Sequence, residues 1–361
     1  MKMNENSLLK MVQELSSAFG PSGFEDDVVK VIRKYIMELG EIQEDSLRNL
    51  YLYRRENKGN KPIIMLDAHS DEVGLIVQSI NANGTLRFIR IGSWNKLALP
   101  SMKVLIRNAK GQYVPGIVSI KTVHFMNSNE RNSTQFDYSD LCIDIGSSSR
   151  METIEKFHIR IGEPIVPDIN FSYDDENDLL FGKAFDCRIG CVALIETLKR
   201  IQNIDLPFDI VGVFSAQEEV GNRGCKVAVN HIKPSLAICF EGAPADDMLL
   251  EPLIAQTKLR NGPMLRVMDR SIICNPRFMR FTENIAEKNH IPYQISVREG
   301  GGNNGGTIHT ALEGIPVIVP SVPVRYIHSP NGIATLSDLE NTIDLVIKLI
   351  TTITIADFDL F

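Results

Sequence analysis

The sequence predicts an α/β fold with a small β domain inserted into it, and two observations carry that prediction. Apolar runs long enough for buried strands alternate with amphipathic helical patterns, both before residue 72 and from 167 to the C-terminus. This alternation is typical of a mainly parallel sheet. Between these two parts, from 73 to 166, short β-rich runs are separated by turn residues, which is typical of a small β domain.

The individual elements follow from local patterns. Residues 8–39 contain two amphipathic helical patterns, separated at 19–23 by glycines and a proline that force a loop. In the inserted domain, Asn-Gly, Lys-Gly-Gln and Pro-Gly turns separate the β-rich runs. The predicted strands of that domain are 74–80, 85–91, 103–107 and 114–120. After Pro167 the alternation resumes, and apolar spacing predicts a helix over 191–201.

Size and charge exclude several classes of function. A chain of 361 residues, 43% hydrophobic and 23% charged, is long enough for a large core and two domains. A formal net charge of -7 and the lack of a basic run argue against nucleic acid as the main partner. No apolar run approaches the roughly 18 residues that a membrane span needs. Because the six cysteines are scattered, as is typical of a reducing compartment, we expect a cytoplasmic protein with no membrane partner.

Four of the apolar runs end in acidic or imidazole side chains. The most informative is 208–214, which leads to the adjacent carboxylates Glu218 and Glu219. Neighbouring side chains that leave a strand point in different directions, so one carboxylate can bind a metal while the other moves protons. Since ligand sites lie beyond the carboxyl ends of parallel strands, we expect the four ends to meet in one crevice. The residues at these ends are His69, Asp71, Glu218, Glu219, Glu241 and His328.

Asp186, just before the helical pattern at 191–201, adds a further carboxylate. Taken alone, this residue could cap the helix, a lone histidine could be hydrogen-bonded at a strand end, and a Glu-Glu pair could be a solvated loop. Together with the four strand ends, the two oxygens of Asp186 could bridge two cations. Imidazole and carboxylate ligands suit zinc, cobalt or manganese better than calcium. The pattern therefore favours a dinuclear metal centre.

Six motifs give the chain a resemblance to a known family. They are Gly20-Pro-Ser-Gly-Phe-Glu25, Ala68-His-Ser-Asp-Glu-Val-Gly74, Asp144-Ile-Gly146, Phe185-Asp-Cys-Arg-Ile-Gly190, Gln217-Glu-Glu-Val-Gly221 and Val324-Arg-Tyr-Ile-His-Ser-Pro330. Their order and spacing extend over nearly the whole chain. With these motifs the chain resembles the M42 family of metallo-aminopeptidases, relatives of the tetrahedral aminopeptidases and of glutamyl aminopeptidase, within the dinuclear zinc exopeptidases.

The resemblance implies a role for each residue of the predicted centre. One metal ion would be held by His69, Asp186 and Glu241, and the second by Asp186, Glu219 and His328. Two divalent ions are implied, with zinc favoured over cobalt and manganese. Glu218 would be the general base, and Asp71 would accept a hydrogen bond from the imidazole of His69 and so fix its orientation.

Other positions are predicted to contact the substrate, and two of the site positions depart from the family pattern. The predicted substrate-binding residues are Asn303, Asn304, His309 and Arg325. Glu241 stands where the family usually has Asp. In Gly301-Gly-Asn-Asn-Gly-Gly306, Asn304 stands where the family commonly has the Asp of Gly-Gly-Thr-Asp-Ala. The lost charge at Asn304 could alter metal preference or recognition of a cationic N-terminus.

The resemblance also implies an architecture and an activity. Residues 1–72 and 167–361 would form a three-layer α/β/α sandwich of the zinc exopeptidase type, and 73–166 a small inserted β-barrel that serves oligomerisation. In relatives the dimers assemble into tetrahedral dodecamers whose chamber admits short peptides. The implied function is cytoplasmic hydrolysis of N-terminal residues from peptides.

Two alternatives belong to other classes of function. Some members of the family have been described as glucanases, and paired carboxylates also serve glycoside hydrolysis, although that mechanism has no use for His69 and His328. An inactive homologue with a binding role is the second alternative, suggested by Glu241 and the Asn303-Asn304 pair. Retention of Glu218 argues against it, because that residue has no structural purpose in the predicted centre.

Overall fold

A computed structural model describes the chain over residues 7–128 and 136–361. The chain folds as two units. The first is formed by Met1–Glu72, Phe171–Ile327 and Asn331–Phe361, and the second by Val73–Asn170 and His328–Pro330. No helix in the described ranges is long and apolar enough to cross a membrane.

The strands and helices are numbered in chain order. The strands are β1 (Gly40–Glu44), β2 (Leu50–Arg54), β3 (Ile63–His69), β4 (Gly74–Ile80), β5 (Leu86–Ile91), β6 (Lys103–Arg107), β7 (Tyr113–Val118), β8 (Ile143–Asp144), β9 (Pro164–Pro167), β10 (Ser172–Asp174), β11 (Leu179–Gly182), β12 (Asp209–Ser215), β13 (Leu236–Cys239), β14 (Glu241–Pro244), β15 (Met264–Met268), β16 (Gln294–Val297), β17 (Val317–Ile318), β18 (Pro320–Val324) and β19 (Gly332–Ala334). The described helices are α1 (Ser7–Ser17), α2 (Asp26–Ile36), α3 (Arg150–Glu155), α4 (Phe185–Arg200), α5 (Arg223–Ile232), α6 (Pro276–Lys288), α7 (Asn304–Ile308), α8 (Leu336–Thr352) and α9 (Ile355–Phe358).

The main sheet of the first unit has six strands in the order β1-β2-β12-β3-β13-β17. The strands β12, β3, β13 and β17 run parallel to one another. Ser215 pairs with His69, and Cys239 pairs with Asp67, so β3, β12 and β13 end at the same edge. Every residue of β12 is buried, as expected for a parallel strand that is covered on both faces. This edge of the sheet carries the predicted site.

Two smaller sheets complete the first unit, with the orders β14-β18-β15-β16 and β10-β11-β19. The apolar run predicted at 315–324 is divided between sheets, because β17 belongs to the main sheet and β18 to the four-stranded one. Pro320 is the first residue of β18, one of the positions that proline can take in a sheet. Gly242 in β14 passes close to α4, and a Cβ there would lie 2.7 Å from the backbone oxygen of Phe185. Only glycine fits this approach, which brings Glu241 near Asp186.

The second unit contains a closed six-stranded barrel in the order β4-β5-β8-β7-β6-β9. It has its own hydrophobic core, which includes the fully buried Leu86, Val104 and Ile143. The predicted strands 74–80 and 103–107 match β4 and β6, whereas β5 begins at Leu86 and β7 ends at Val118. The α/β fold class with an inserted small barrel is therefore confirmed.

Candidate metal centre

His69 is the last residue of β3 and lies at the centre of the predicted site. Its side chain is only 1% exposed, because β12 lies alongside β3 up to the pair Ser215 and His69. The Nε2 atom of His69 lies 3.0 Å from Oδ1 of Asp186, 3.7 Å from Oε2 of Glu241 and 4.0 Å from Oε2 of Glu218. One imidazole nitrogen therefore faces three carboxylates from three different segments of the chain.

Asp186 reaches this position because the backbone at the start of α4 is irregular. Its φ and ψ are -81° and 108°, and those of Cys187 are -113° and 32°, both outside the helical region. The predicted helix at 191–201 corresponds to α4, which begins earlier, at Phe185, and ends at Arg200. The Sγ of Cys187 donates to the carbonyl oxygen of Phe240 at 3.2 Å, and burial raises the pKa of this thiol well above its usual value. Both observations argue against Cys187 as a thiolate ligand.

Asp71 holds both His69 and the loop that carries the adjacent glutamates. Its Oδ1 lies 3.4 Å from Nδ1 of His69 and accepts a hydrogen bond from the backbone N–H of Glu218 at 2.9 Å. Its Oδ2 accepts from the N–H of Glu219 at 3.1 Å and from the hydroxyl of Ser22 at 2.6 Å. Burial acts to raise the pKa of Asp71, but the bonds and charge from His69 and Ser22 outweigh it and hold the pKa below its usual value.

In the described part of the first unit, the ligand atoms form two groups in which all atoms lie within 4.8 Å of one another. The groups are His69, Asp186, Cys187 and Glu241, and His69, Glu218 and Glu219. The first contains the three predicted ligands of one cation. Asp186 and Glu219, predicted ligands of the other cation, each belong to one of these groups, and His328 belongs to the second unit. The metal-binding roles of these residues stay predictions.

The electrostatics of the pocket suit a divalent cation. Burial raises the pKa of Glu241 well above its usual value, and the charges of Asp186 and Glu218 add to this effect. Burial opposes the charged form of His69, but the carboxylates around it, among them Asp186, Asp71 and Glu218, raise its pKa. A set of carboxylate oxygens and imidazole nitrogens provides the ligand atoms that zinc, cobalt and manganese accept. The residues present therefore fit such an ion.

The four predicted substrate-binding residues are all held by contacts within the protein. Asn303 donates to Asp269 at 2.8 Å and caps α7 by accepting from the N–H of Gly305. The guanidinium of Arg325 makes two hydrogen bonds to Asp247, at 2.9 and 2.6 Å. Their contacts with a substrate stay predictions.

His309 and Asn304 belong to the same group of predicted residues. Nδ1 of His309 lies 3.1 Å from the carbonyl oxygen of Gly305. Asn304 is 1% exposed and donates to Asp67 at 2.7 Å. For both residues, a contact with a substrate stays a prediction.

Sequence reasoning assigned no role to several residues that support the site. Ser22 and Glu25 were visible only as members of the motif at 20–25, and Glu25 accepts from the N–H of Gln217 at 3.2 Å. Asn222 gave no signal, because its contacts with Glu218 and other site residues exist only in the folded chain.

A sheet whose strand ends carry a buried cluster of imidazole and carboxylate groups defines an α/β protein with a candidate metal centre. The family model described as M42 glutamyl aminopeptidase matches residues 49–345. The chain belongs to this family and is a hydrolase of the aminopeptidase class. A putative aminopeptidase from Acetivibrio thermocellus is 34% identical over 349 residues, which are 96% of this chain and 100% of the relative.

Solved structures are similar along almost the whole chain. The TET aminopeptidase from a marine sediment thaumarchaeon matches with a TM-score of 0.93 and 36% identity, covering 98% of this chain and 99% of its own. The Pyrococcus horikoshii TET1 peptidase, described as assembling into a tetrahedron or a large octahedral shell, matches with a TM-score of 0.86 and 29% identity, covering 96% and 100%.

Two further relatives carry names that specify different substrates. The glutamyl aminopeptidase of Lactococcus lactis is 29% identical, with 92% of both chains covered. The lysyl aminopeptidase of Pyrococcus furiosus is 30% identical, with 97% of this chain and 98% of the relative covered. Substrate preference therefore varies among proteins that are about equally similar to this chain.

Proposed function

We propose that this chain removes N-terminal residues from short peptides with two divalent cations bound at the edge of the main sheet. The observation that carries this proposal is a pair of ligand groups that share His69, one with Asp186 and Glu241 and the other with Glu218 and Glu219. The names of the relatives support aminopeptidase activity. The preferred N-terminal residue is not part of the proposal.

The proposed ligands are those that the family resemblance implies. His69, Asp186 and Glu241 would hold one cation, and Asp186, Glu219 and His328 the other, with Asp186 shared. Zinc is the first candidate, and cobalt and manganese suit the same ligands. When bound, the cations would polarise the scissile carbonyl and lower the pKa of a water molecule.

In this proposal Glu218 would move the protons of the reaction. Its side chain is 13% exposed, and its Oε1 accepts a hydrogen bond from Nδ2 of Asn222 at 3.1 Å. It would accept the proton of the attacking water and deliver it to the leaving amine. Asp71 would fix the position of the His69 imidazole relative to the loop that carries Glu218, since it contacts both.

We also propose that copies of the chain associate, first through residues 73–166 and then into a dodecamer. The tetrahedral or octahedral assembly described for the similar TET1 peptidase and the dodecamer described for PhTET1-12s support this. Exposed apolar side chains support it as well: in the second unit Ile120, Val123 and Phe125 are exposed, and in the first unit Leu249 and Leu253 are. The proposed location is the cytoplasm, because all six cysteines are free thiols.

A chelation experiment on the purified protein tests the proposed chemistry. Exhaustive treatment with EDTA should abolish release of N-terminal residues from a panel of short peptides, and zinc, cobalt or manganese should restore it. N-acylated versions of the same peptides serve as the control, because an aminopeptidase requires the free α-amine. Activity on β-glucans that survives EDTA would instead favour the glycosidase alternative.

A further inference from the structure

A line of hydrogen-bonded polar side chains, buried at one end and half-buried at the other, connects the inside of the main sheet with the proposed general base. Nδ2 of Asn304 donates to Oδ2 of Asp67 at 2.7 Å. Nδ2 of Asn222 donates to Oδ1 of Asn304 at 3.2 Å and to Oε1 of Glu218 at 3.1 Å. The line therefore runs from Asp67 through Asn304 and Asn222 to Glu218.

Asn304 has the chemistry that its place in this line requires. An amide donates through nitrogen and accepts through oxygen, and Asn304 uses both, since its nitrogen also donates to the hydroxyl of Ser215 at 2.8 Å. An ionised carboxylate at this position could only accept, so it could not form a hydrogen bond with Asp67 when Asp67 is also ionised. With 1% of its surface exposed, Asn304 is placed to act through its neighbours.

Asp67 supplies the single carboxylate at the buried end of the line. It is 1% exposed, and its Oδ1 has no hydrogen-bond partner within the described residues. The resembling family commonly has an acid at the position of Asn304. In this chain the carboxylate lies one hydrogen bond further from Glu218, at Asp67, and the amide lies between them.

We infer that Asp67 and Asn304 form a matched pair that positions the carboxylate of Glu218 through Asn222. The inference rests on the proposed function, because it takes Glu218 as the general base. Asn304 is a positioning residue: its bond to Asp67 fixes the amide, and the amide oxygen then fixes the side-chain nitrogen of Asn222. That nitrogen holds the Oε1 atom of Glu218.

If Asp67 and Asn304 act as a pair, exchanging carboxylate and amide at the two positions should have different effects singly and together. Asn304→Asp would place two buried carboxylates at the distance of a hydrogen bond, and their repulsion would displace the contact with Asn222. The double variant Asp67→Asn with Asn304→Asp restores one amide and one carboxylate. The amide at 67 can then donate to the carboxylate at 304, which can still accept from Asn222.

The test is peptide hydrolysis by the full-length protein at saturating zinc, with kcat and KM measured separately. We expect Asn304→Asp to lower kcat about tenfold or more, with KM changed by less than about twofold, because the lost contact acts on proton transfer in the transition state. The double variant should recover kcat to within about threefold of the wild type. Ser215→Ala is the matched control. Ser215 contacts both Asn304 and Asp67, but its removal leaves the bonds from Asp67 through Asn304 and Asn222 to Glu218 in place, so kcat should stay within about twofold.

Metal content and thermal unfolding of each variant show whether it is folded and loaded. If Asn304→Asp fails to fold, Asn222→Ala tests the last link alone: kcat should fall about tenfold, and adding Asn304→Ala should lower it no further. Wild-type kcat in Asn304→Asp, no recovery in the double variant, or an equal loss in Ser215→Ala would overturn the inference. A wild-type protein without aminopeptidase activity would instead overturn the proposed function.

Discussion

Two regions of the first unit reverse the usual distribution of polar and apolar side chains. At the carboxyl ends of β3 and β12, His69 and Asp71 are 1% and 0% exposed. In the segment 248–254, the opposite holds, because Leu249 is 77% and Leu253 100% exposed. Ionisable groups in proteins are rarely fully buried unless they are paired, and large apolar patches rarely face water without a partner.

The two regions differ in whether their side chains find partners within the chain. The polar region is satisfied within the chain, since Asp71 accepts bonds from two backbone N–H groups and one hydroxyl. In the apolar segment 248–254, by contrast, no other part of the described chain covers the side chain of Leu253, which is fully exposed. The first region therefore indicates a site for a small charged ligand, and the second a surface for another protein molecule. Substitutions in the two regions should therefore have different effects.

The largest effect is expected from Glu218→Gln in the polar region. Glutamine keeps the shape and the oxygen that accepts from Asn222 but cannot take up a proton, so kcat should fall by about 10³-fold. Rates on a short peptide and the metal content of the same sample provide the measurement. Near-normal turnover in this variant would remove Glu218 as the general base, whereas a loss of bound metal would make it a ligand.

Leu253→Asp should disrupt assembly without changing the chemistry. A charge on the exposed apolar segment opposes burial against a second copy, so light scattering after size exclusion should show a smaller particle than the wild type. Turnover per chain on a dipeptide should be unchanged. Met37→Asp is the matched control, because Met37 is also exposed, at 68%, but lies at the end of α2. Wild-type mass in Leu253→Asp, beside an oligomeric wild type, would exclude this segment as an interface.

Glu25→Gln tests how the buried carboxyl of Glu25, next to the site, affects the free energy of unfolding. Glu25 is 0% exposed, and burial, together with the charge of Asp71, raises its pKa to about 7. The folded chain thus holds this proton up to about pH 7, while the unfolded chain releases it near pH 4.5. The wild type should therefore lose stability as the pH rises from 4.5 to 7, by up to about 3 kcal/mol.

Glutamine at 25 does not titrate and can still accept from Gln217. In urea unfolding of metal-free protein, the free energy of unfolding of Glu25→Gln should rise relative to that of the wild type between pH 5 and pH 8. A difference that is the same at both pH values would show that Glu25 keeps an ordinary pKa.

Ser22→Ala should have the smallest effect. It removes one of the donors to Asp71 and leaves the two backbone N–H groups in place. A hydrogen bond to a charged acceptor contributes about 1.5 kcal/mol, so the free energy of unfolding should fall by that amount while kcat changes little. A loss of activity comparable with that of Glu218→Gln would mean that Ser22 acts in the reaction itself.

The sequence predicted those features that depend on local pattern. The apolar run 208–214 became β12, and the runs before Asp67 and Glu241 became β3 and β13, so parallel strand order was enough to expect His69 and Glu241 in one place. The barrel strands β8 and β9 were not predicted. β8 has only two residues, and β9 has a proline at each end, so neither shows an alternating pattern.

Contacts between distant segments could not be predicted. The bond from Asn304 to Asp67 spans 237 positions, and neither residue has a local signal for it. Asn222 likewise adopts φ 53° at the start of α5, a conformation that is set by its place in the fold. The exposure of Leu253 was also not visible, because an apolar run is equally consistent with a buried strand.

The central claim is that the buried polar region holds two cations through a shared Asp186. Mass spectrometric metal analysis of the wild type and of Asp186→Ala, after dialysis in zinc and removal of free metal, tests it most directly. We predict about two zinc ions per chain in the wild type and less than one in Asp186→Ala, because both proposed ligand sets lose a member. A wild type that binds no zinc while it still cleaves peptides, or an Asp186→Ala variant that keeps both ions, would contradict it.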